Sequence, residues 1–110
     1  MLYLTAHTKI LLATQPTDFR RQTDGLIALC EQQLNQDPRS GYLFVFINRA
    51  RTMIRVLCYE GNGYWLATKR LSRGRYTLWP SNQQGLTTER HASELTKILK
   101  EFVAKKRKGV

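Results

Sequence analysis

Basic and aromatic residues are interleaved through the central part of this 110-residue chain. Guanidinium groups pair with phosphates and aromatic faces stack on unpaired bases, so this combination is typical of nucleic-acid binding. The tripeptide Arg73-Gly74-Arg75 places two guanidinium groups around a flexible residue, which suits a loop that grips a phosphate backbone. The alternative is that the arginines decorate a solvated edge strand, where their charge opposes aggregation.

The positive charge is concentrated in two segments. The chain carries 18 Lys and Arg against 8 Asp and Glu, a formal net charge of +10. Residues 49–75 account for +6 and residues 105–108 for +4, while the remainder is neutral. Such concentration favours polyanionic partners, although a charge run is also compatible with a merely solvated face. We therefore predict nucleic-acid contacts from eleven residues: Arg49, Arg51, Arg55, Lys69, Arg70, Arg73, Arg75, Lys105, Lys106, Arg107 and Lys108.

Catalytic chemistry finds little support among the remaining residues. His7 and His91 are far apart in the chain, and no Cys/His ligand spacing indicates zinc. Cys30 and Cys58 fall in apolar segments, which favours core packing over a nucleophilic role. Acidic residues could in principle hold a divalent metal for phosphoryl transfer, but Asp18 is better explained as a helix cap and no two-metal spacing is present. The sequence predicts a protein that is not an enzyme and has no metal or cofactor.

The first half of the chain contains the patterns of two strands and a helix. Lys9–Thr14 is an apolar run that ends before a proline and is predicted as the first strand. Apolar residues at helical spacing predict an amphipathic helix over residues 23–35, capped by Thr17 or Asp18. Tyr42–Ile47 is aromatic and β-branched throughout, which indicates a central strand covered on both faces.

The second half begins with a hairpin signal. Met53–Tyr59 and Tyr64–Leu71 flank the turn sequence Glu-Gly-Asn-Gly at residues 60–63. If Tyr59 pairs with Tyr64, Arg55 shares a face with Thr68 and Arg70. The tryptophans Trp65 and Trp79 are expected in the core.

Further elements are predicted towards the C-terminus. Tyr76–Trp79 is predicted as a fourth short strand, and Thr87 or Thr88 as the cap of a last helix with a clean apolar stripe. We therefore expect one α+β domain over residues 1–104. It contains a mostly antiparallel sheet of about four to five strands, one helix after the first strand and one C-terminal helix. Residues 105–110 are expected to form a disordered basic tail.

The apolar segments are short. The longest near the start, Ile10–Ala13, cannot span a membrane or serve as the core of a signal peptide. With two cysteines and no export signal, a disulfide framework is not expected. We expect a cytoplasmic protein with no membrane partner.

Four strings carry a resemblance to a known family: TDFRRQTDGL (17–26), DPRSGYLFVF (37–46), CYEGNGYWLATKRL (58–71) and KRLSRGRYTLWP (69–80). In this order and spacing they resemble the second open reading frame product of insertion sequence 66 family elements, a transposase accessory protein called TnpB. The resemblance runs from Leu11 to Leu99. Many members read Asp-Gly-Asp-Gly in the hairpin turn and end soon after the last helix, so the basic tail is a departure.

The resemblance implies a role in transposition beside a larger DDE-type transposase and a second small protein of the same element. It identifies no catalytic residue. One hypothesis is a non-catalytic accessory factor that binds DNA, such as the element ends, or the transposase–DNA complex, through residues 49–75. The alternative is a protein-interaction module that docks on the transposase through Arg20, Arg21, Tyr59 and Tyr64 with little DNA contact. A metal-dependent nuclease is a third, and a homo-oligomer is compatible with all of them.

Overall fold

A computed structural model describes residues 7–80 and 85–107, with side chains described up to residue 100. Five strands and two helices follow one another as β1 (Ile10–Ala13), α1 (Thr23–Gln32), β2 (Leu43–Ile47), β3 (Met53–Glu60), β4 (Gly63–Arg70), β5 (Thr87–Arg90) and α2 (Ala92–Arg107). The strands form one mixed sheet in the order β4-β3-β2-β1-β5. The predicted α+β class, with one helix after the first strand and one at the C-terminus, is confirmed.

The centre of the sheet is a parallel pair. Strand β1 runs parallel to β2, with Ile10 opposite Leu43, and α1 provides the crossover between them. All residues of both strands are buried, because α1 packs on one face of the sheet and α2 on the other. An unbroken apolar run suits a strand covered on both sides, which confirms the prediction for the strand ending at Ile47.

Helix α1 begins later than a cap at Thr17 or Asp18 would require. Its first residue is Thr23 and its N-cap is Gln22, without a side-chain capping hydrogen bond. The capping prediction is therefore wrong, since the segment before Thr23 forms a separate loop. Gly25 lies in the first turn of the helix, where an added Cβ would come 3.0 Å from the Cβ of Arg21.

The segment Tyr76–Trp79 is not a strand, contrary to the prediction. Its two aromatic residues are buried in the core on the α2 face, together with Leu71, Leu95 and Ile98. The Trp79 indole N–H donates to the Ala13 carbonyl at 3.0 Å. The segment pairs with no strand of the described chain and covers the sheet instead of joining it.

The strand missing from the prediction is β5, a polar segment that pairs antiparallel with β1 from Ile10↔Arg90 to Ala13↔Thr87. Thr87 and Thr88 lie in this strand, so neither caps the last helix. Helix α2 begins after His91, whose backbone N–H donates to Glu94 Oε1 at 3.1 Å, one half of a capping box.

The β3–β4 hairpin has the predicted register, with Tyr59 opposite Tyr64 and Arg55 opposite Thr68. Trp79 is buried as predicted, whereas Trp65 is 46% exposed, so its assignment to the core is wrong. Both cysteines are buried free thiols.

Helix α2 continues to Arg107. Lys105, Lys106 and Arg107 therefore lie in its last turn, while Lys108 is outside the described residues. Among the helices of the described chain, none is long and apolar enough to cross a membrane.

Candidate nucleic-acid interface

Three loop segments meet at the end of the sheet where β1 and β2 finish. The first is residues 17–21, which follow β1. The Thr17 N–H donates to the Ile47 carbonyl at 2.8 Å, and Thr17 forms a parallel bridge with Asn48. This pairing holds the 17–21 segment beside the second segment, residues 48–52, which connects β2 to β3.

The third segment, residues 70–76, is fastened to the same turn. The Leu71 N–H donates to the Thr52 carbonyl at 2.9 Å, and the Tyr76 N–H donates to the Arg51 carbonyl at 2.8 Å. The tripeptide at 73–75 therefore bulges out between two anchored residues, with Gly74 at a φ of 76°. We call the three segments 17–21, 48–52 and 70–76 together the basic end.

Asn48 organises the turn in the middle of the basic end. Its Oδ1 accepts hydrogen bonds from the Thr52 N–H at 2.8 Å and the Met53 N–H at 3.0 Å, and its Nδ2 donates to Thr52 Oγ1. Arg51 takes a left-handed backbone conformation with a φ of 61°. A tightly bonded turn thus presents the arginines on either side of Ala50.

The predicted arginines are concentrated here. Arg49, Arg70, Arg73 and Arg75 are exposed and Arg51 is half-buried. None of the five forms a salt bridge within the described part of the chain, where the ion pairs are Arg20–Asp18 and Arg90–Glu94. The basic end therefore carries several cations that no carboxylate among the described side chains neutralises.

Arg20 is the exception at the basic end, because it is paired with Asp18. Its Nη2 lies 2.7 Å from Asp18 Oδ2, and its backbone N–H donates to Oδ1 of the same carboxylate at 2.9 Å. These hydrogen bonds lower the pKa of Asp18 from 3.8 to about 2. The backbone hydrogen bond shapes the loop, and the carboxylate offsets one positive charge at the surface.

Arg55 has a different environment from the other predicted contacts. Its Nη1 donates to the Phe19 carbonyl at 2.9 Å and to the Arg21 carbonyl at 2.7 Å. The guanidinium carbon lies 4.6 Å from the centre of the Phe19 ring, and Nε donates to Thr68 Oγ1. Arg55 therefore ties the 17–21 segment to the hairpin. Its place among the nucleic-acid contacts stays a prediction, now with most of its donors already used.

The remaining predicted residues are spread over the molecule. Lys69 donates through Nζ to the Leu99 carbonyl at 3.1 Å, so it faces α2. Arg21 donates to the Gly25 carbonyl at 3.2 Å. Tyr59 and Tyr64 pack edge to face, 5.0 Å apart, at the turn end of the hairpin. The predicted partner-binding set is thus divided between the two ends of the β3–β4 hairpin.

An open groove of about 580 Å³ lies between the 17–21 segment and the 48–52 turn. Phe19, Ala50 and Met53 form its apolar part, and Arg20 and Arg49 lie at its border. No group of three or more His, Cys, Asp or Glu suited to a metal ion occurs among the described residues. The chemistry available at this end is that of guanidinium groups, an aromatic ring and backbone amides.

Two residues that organise the site were not predicted. Asn48 accepts the hydrogen bonds that close the turn, and the ring of Phe19 packs against the Arg55 guanidinium. An Asn before a short polar stretch between two strands is a known turn signal and could have indicated Asn48. The role of Phe19 depends on a contact 36 residues away in the chain, for which no local signal exists.

Fold and site together define a small α+β protein with a cluster of exposed arginines at one end of a mixed sheet. Residues 8–108 match the family of IS66 Orf2-like proteins. The chain therefore belongs to this family, and the membership supports an accessory role in the transposition of insertion sequences.

Two curated proteins of Sinorhizobium fredii (strain NBRC 101917 / NGR234) are similar to this chain. The uncharacterized protein y4jC is 40% identical over 72 residues, which cover 66% of this chain and 62% of the relative. The uncharacterized protein y4hO is 36% identical over 85 residues, covering 77% of this chain and 73% of the relative. No solved structure matches the chain.

Proposed function

We propose that the protein is a non-catalytic accessory factor that binds DNA, at the element ends or in the transposase–DNA complex, through the basic end. The observation that carries this proposal is the convergence of the 48–52 and 70–76 segments, which brings exposed arginines from two separate parts of the chain together. Family membership supplies the setting, transposition.

Phosphate neutralisation supplies most of the affinity in this proposal. Each arginine that contacts a phosphate releases condensed counterions, so the logarithm of the affinity falls with the logarithm of the salt concentration, by about 0.9 per contact on duplex DNA. The hydrogen bonds of Asn48 order the backbone that carries these arginines before DNA arrives, which limits the backbone entropy lost on binding.

The partners follow from the same proposal. They are DNA, the transposase, and the second small accessory protein of the element, and the place of action is the cytoplasm. Arg49, Arg70, Arg73 and Arg75 are the principal contacts. Lys69, Lys105, Lys106 and Arg107 add to the positive potential without a defined site. No cofactor takes part.

A double variant tests the proposal directly. Replacing Arg73 and Arg75 by Ala should weaken binding to element-end DNA by about 10- to 100-fold and reduce the salt slope by about two. A mobility-shift titration at two salt concentrations measures both quantities, with random DNA of equal length as competitor.

The matched control removes two charges elsewhere. Lys97 and Lys100 are exposed on α2, and their replacement by Ala should change the affinity far less. Equal losses of DNA affinity in the two double variants would show that only the net charge matters. Unchanged affinity of the Arg73/Arg75 variant would contradict the proposed interface.

A second candidate function is docking on the transposase with little DNA contact. The half-buried Tyr59–Tyr64 pair favours it, since Arg39 lies 5.2 Å from the Tyr59 ring and together they form a surface suited to a protein partner. A pull-down with purified transposase after nuclease treatment distinguishes the candidates, because an association bridged by DNA disappears.

A further inference from the structure

Strand β4 is an outer strand of the sheet. All eight of its residues pair with β3, and no strand of the described chain pairs with its other side. It contains no proline and its register runs without a bulge, and its charged residues, Lys69 and Arg70, are confined to one end, which leaves the backbone from Tyr64 to Thr68 without a common edge protection. The opposite outer strand, β5, has only four residues.

The hairpin register determines which backbone groups of β4 are available. Glu60 and Gly63 close a two-residue connection, and such a pair is hydrogen-bonded. Hydrogen-bonded and non-hydrogen-bonded pairs then alternate along an antiparallel ladder. The N–H and C=O groups of alternate residues therefore point away from β3, namely those of Tyr64, Leu66, Thr68 and Arg70.

We propose that two copies of this chain associate by antiparallel pairing of their β4 strands, about a two-fold axis through Ala67. The axis is perpendicular to the sheet, so each residue keeps its face and must pair with a residue on the same face. Faces alternate along a strand, so the numbers of two paired residues are both odd or both even. Centring on Ala67 makes all four outward-facing residues pair: Tyr64 with Arg70 and Leu66 with Thr68, each twice.

The side chains favour this register over its neighbours. Across the interface, Lys69 faces Trp65 of the second copy on the α2 face of the sheet, and Arg70 faces Tyr64 on the α1 face. Each cation then lies opposite an aromatic ring, a favourable cation–π arrangement, and no cation lies directly opposite another. For this contact the Lys69 ammonium exchanges its exposed hydrogen bond to the Leu99 carbonyl of its own copy. Trp65 is accessible for this contact because it is 46% exposed, and its indole N–H donates to Glu60 of its own hairpin, which orients the ring.

Such a pair has a consequence for the shape of the assembly. The sheet becomes ten-stranded, and the two basic ends lie at opposite ends of the shared strand pair. The two Arg70 residues are separated by six strand positions, about 20 Å along the strands. This inference goes beyond the proposed DNA binding and does not depend on it. In the dimer Arg70 lies in the shared strand pair, and Arg49, Arg73 and Arg75 are left for DNA.

A disulfide experiment tests both the partner and the register. Ala67 would face its own copy in a non-hydrogen-bonded pair, where the Cα atoms are about 4.5 Å apart, close enough for a disulfide. The native thiols of Cys30 and Cys58 are buried, so they interfere little. We expect Ala67→Cys to form a covalent dimer under mild oxidation, and wild-type protein to show a dimer in sedimentation equilibrium.

Lys69→Cys is the matched control. Two cysteines at this position would be four strand positions apart, about 13 Å, and should not join. Ala67→Asp places two like charges face to face and should shift the equilibrium to monomer, with the fold checked by circular dichroism. A monomeric wild-type protein at high concentration, a Lys69→Cys dimer as efficient as that of Ala67→Cys, or a crosslink formed only with the transposase would each overturn the proposal.

Discussion

Arg55 illustrates how one side chain connects distant parts of this chain. It comes from β3, yet its guanidinium binds two carbonyl groups and one aromatic ring of the 17–21 segment. Hydrogen bonds from a charged donor to partly buried acceptors contribute more to stability than neutral ones. Arg55 thus stabilises the loop that also holds Asp18 and Arg20 at the basic end.

Replacing Arg55 by Ala should lower the free energy of unfolding by about 2 kcal/mol, because two carbonyl groups lose their donor. Urea denaturation measures this change. Arg73→Ala removes an exposed arginine of the basic end and should change the free energy of unfolding by less than about 0.5 kcal/mol. Similar losses in both variants would show that Arg55 is no more than a surface charge.

Residue environments were only partly predictable. The burial of Cys30 and Cys58 followed from their place in apolar patterns, and the structure confirms it. Trp65 and Trp79 have the same chemistry but opposite environments, because Trp79 finds a buried acceptor at Ala13 while Trp65 sits on the outer strand. That difference depends on the order of the strands, which no local pattern contains.

At the scale of elements, local sequence signals predicted correctly those strands that are neighbours both in the chain and in the sheet. The hairpin register was predicted because a Gly-rich two-residue connection allows few geometries. Tyr76–Trp79 was wrongly predicted as a strand because aromatic residues that favour strands also favour any buried extended segment. The polar strand β5 was missed because it lies at the sheet edge and is defined by pairing with β1 alone.

The turn between β2 and β3 allows stability and binding to be separated. Arg51 holds a φ of 61°, which costs a residue with a side chain about 1 kcal/mol relative to glycine. Arg51→Gly should therefore unfold at a higher urea concentration than Arg51→Ala. Both variants lack the same charge and should bind DNA with the same reduced affinity in a mobility-shift assay. A less stable glycine variant would contradict the strain at this position.

At the scale of the molecule, two layers of core enclose the sheet, and the cysteines lie one in each. Cys30 belongs to the α1 layer and Cys58 to the α2 layer. Burial raises the pKa of the Cys30 thiol from 9.0 to about 12 and also raises that of Cys58. The rate at which each thiol is labelled therefore measures how readily its layer of the core opens.

In a Cys58→Ser variant, Cys30 should not react with a disulfide reagent at about pH 8, because the thiol is buried and protonated. Its labelling rate should increase with urea in parallel with global unfolding, as followed by tryptophan fluorescence. Rapid labelling of the native protein would mean that α1 separates from the sheet by itself.

The central position of β1 has a consequence for folding during synthesis. Among the described strands β1 is synthesised first, but its two neighbours are synthesised much later, with Leu43 opposite Ile10 on one side and Arg90 on the other. Proteins leave the ribosome N-terminus first, and long loops close at an entropic cost. One side of the apolar β1 therefore stays unpaired until β5 has been synthesised, and during this interval the nascent protein most needs protection from aggregation.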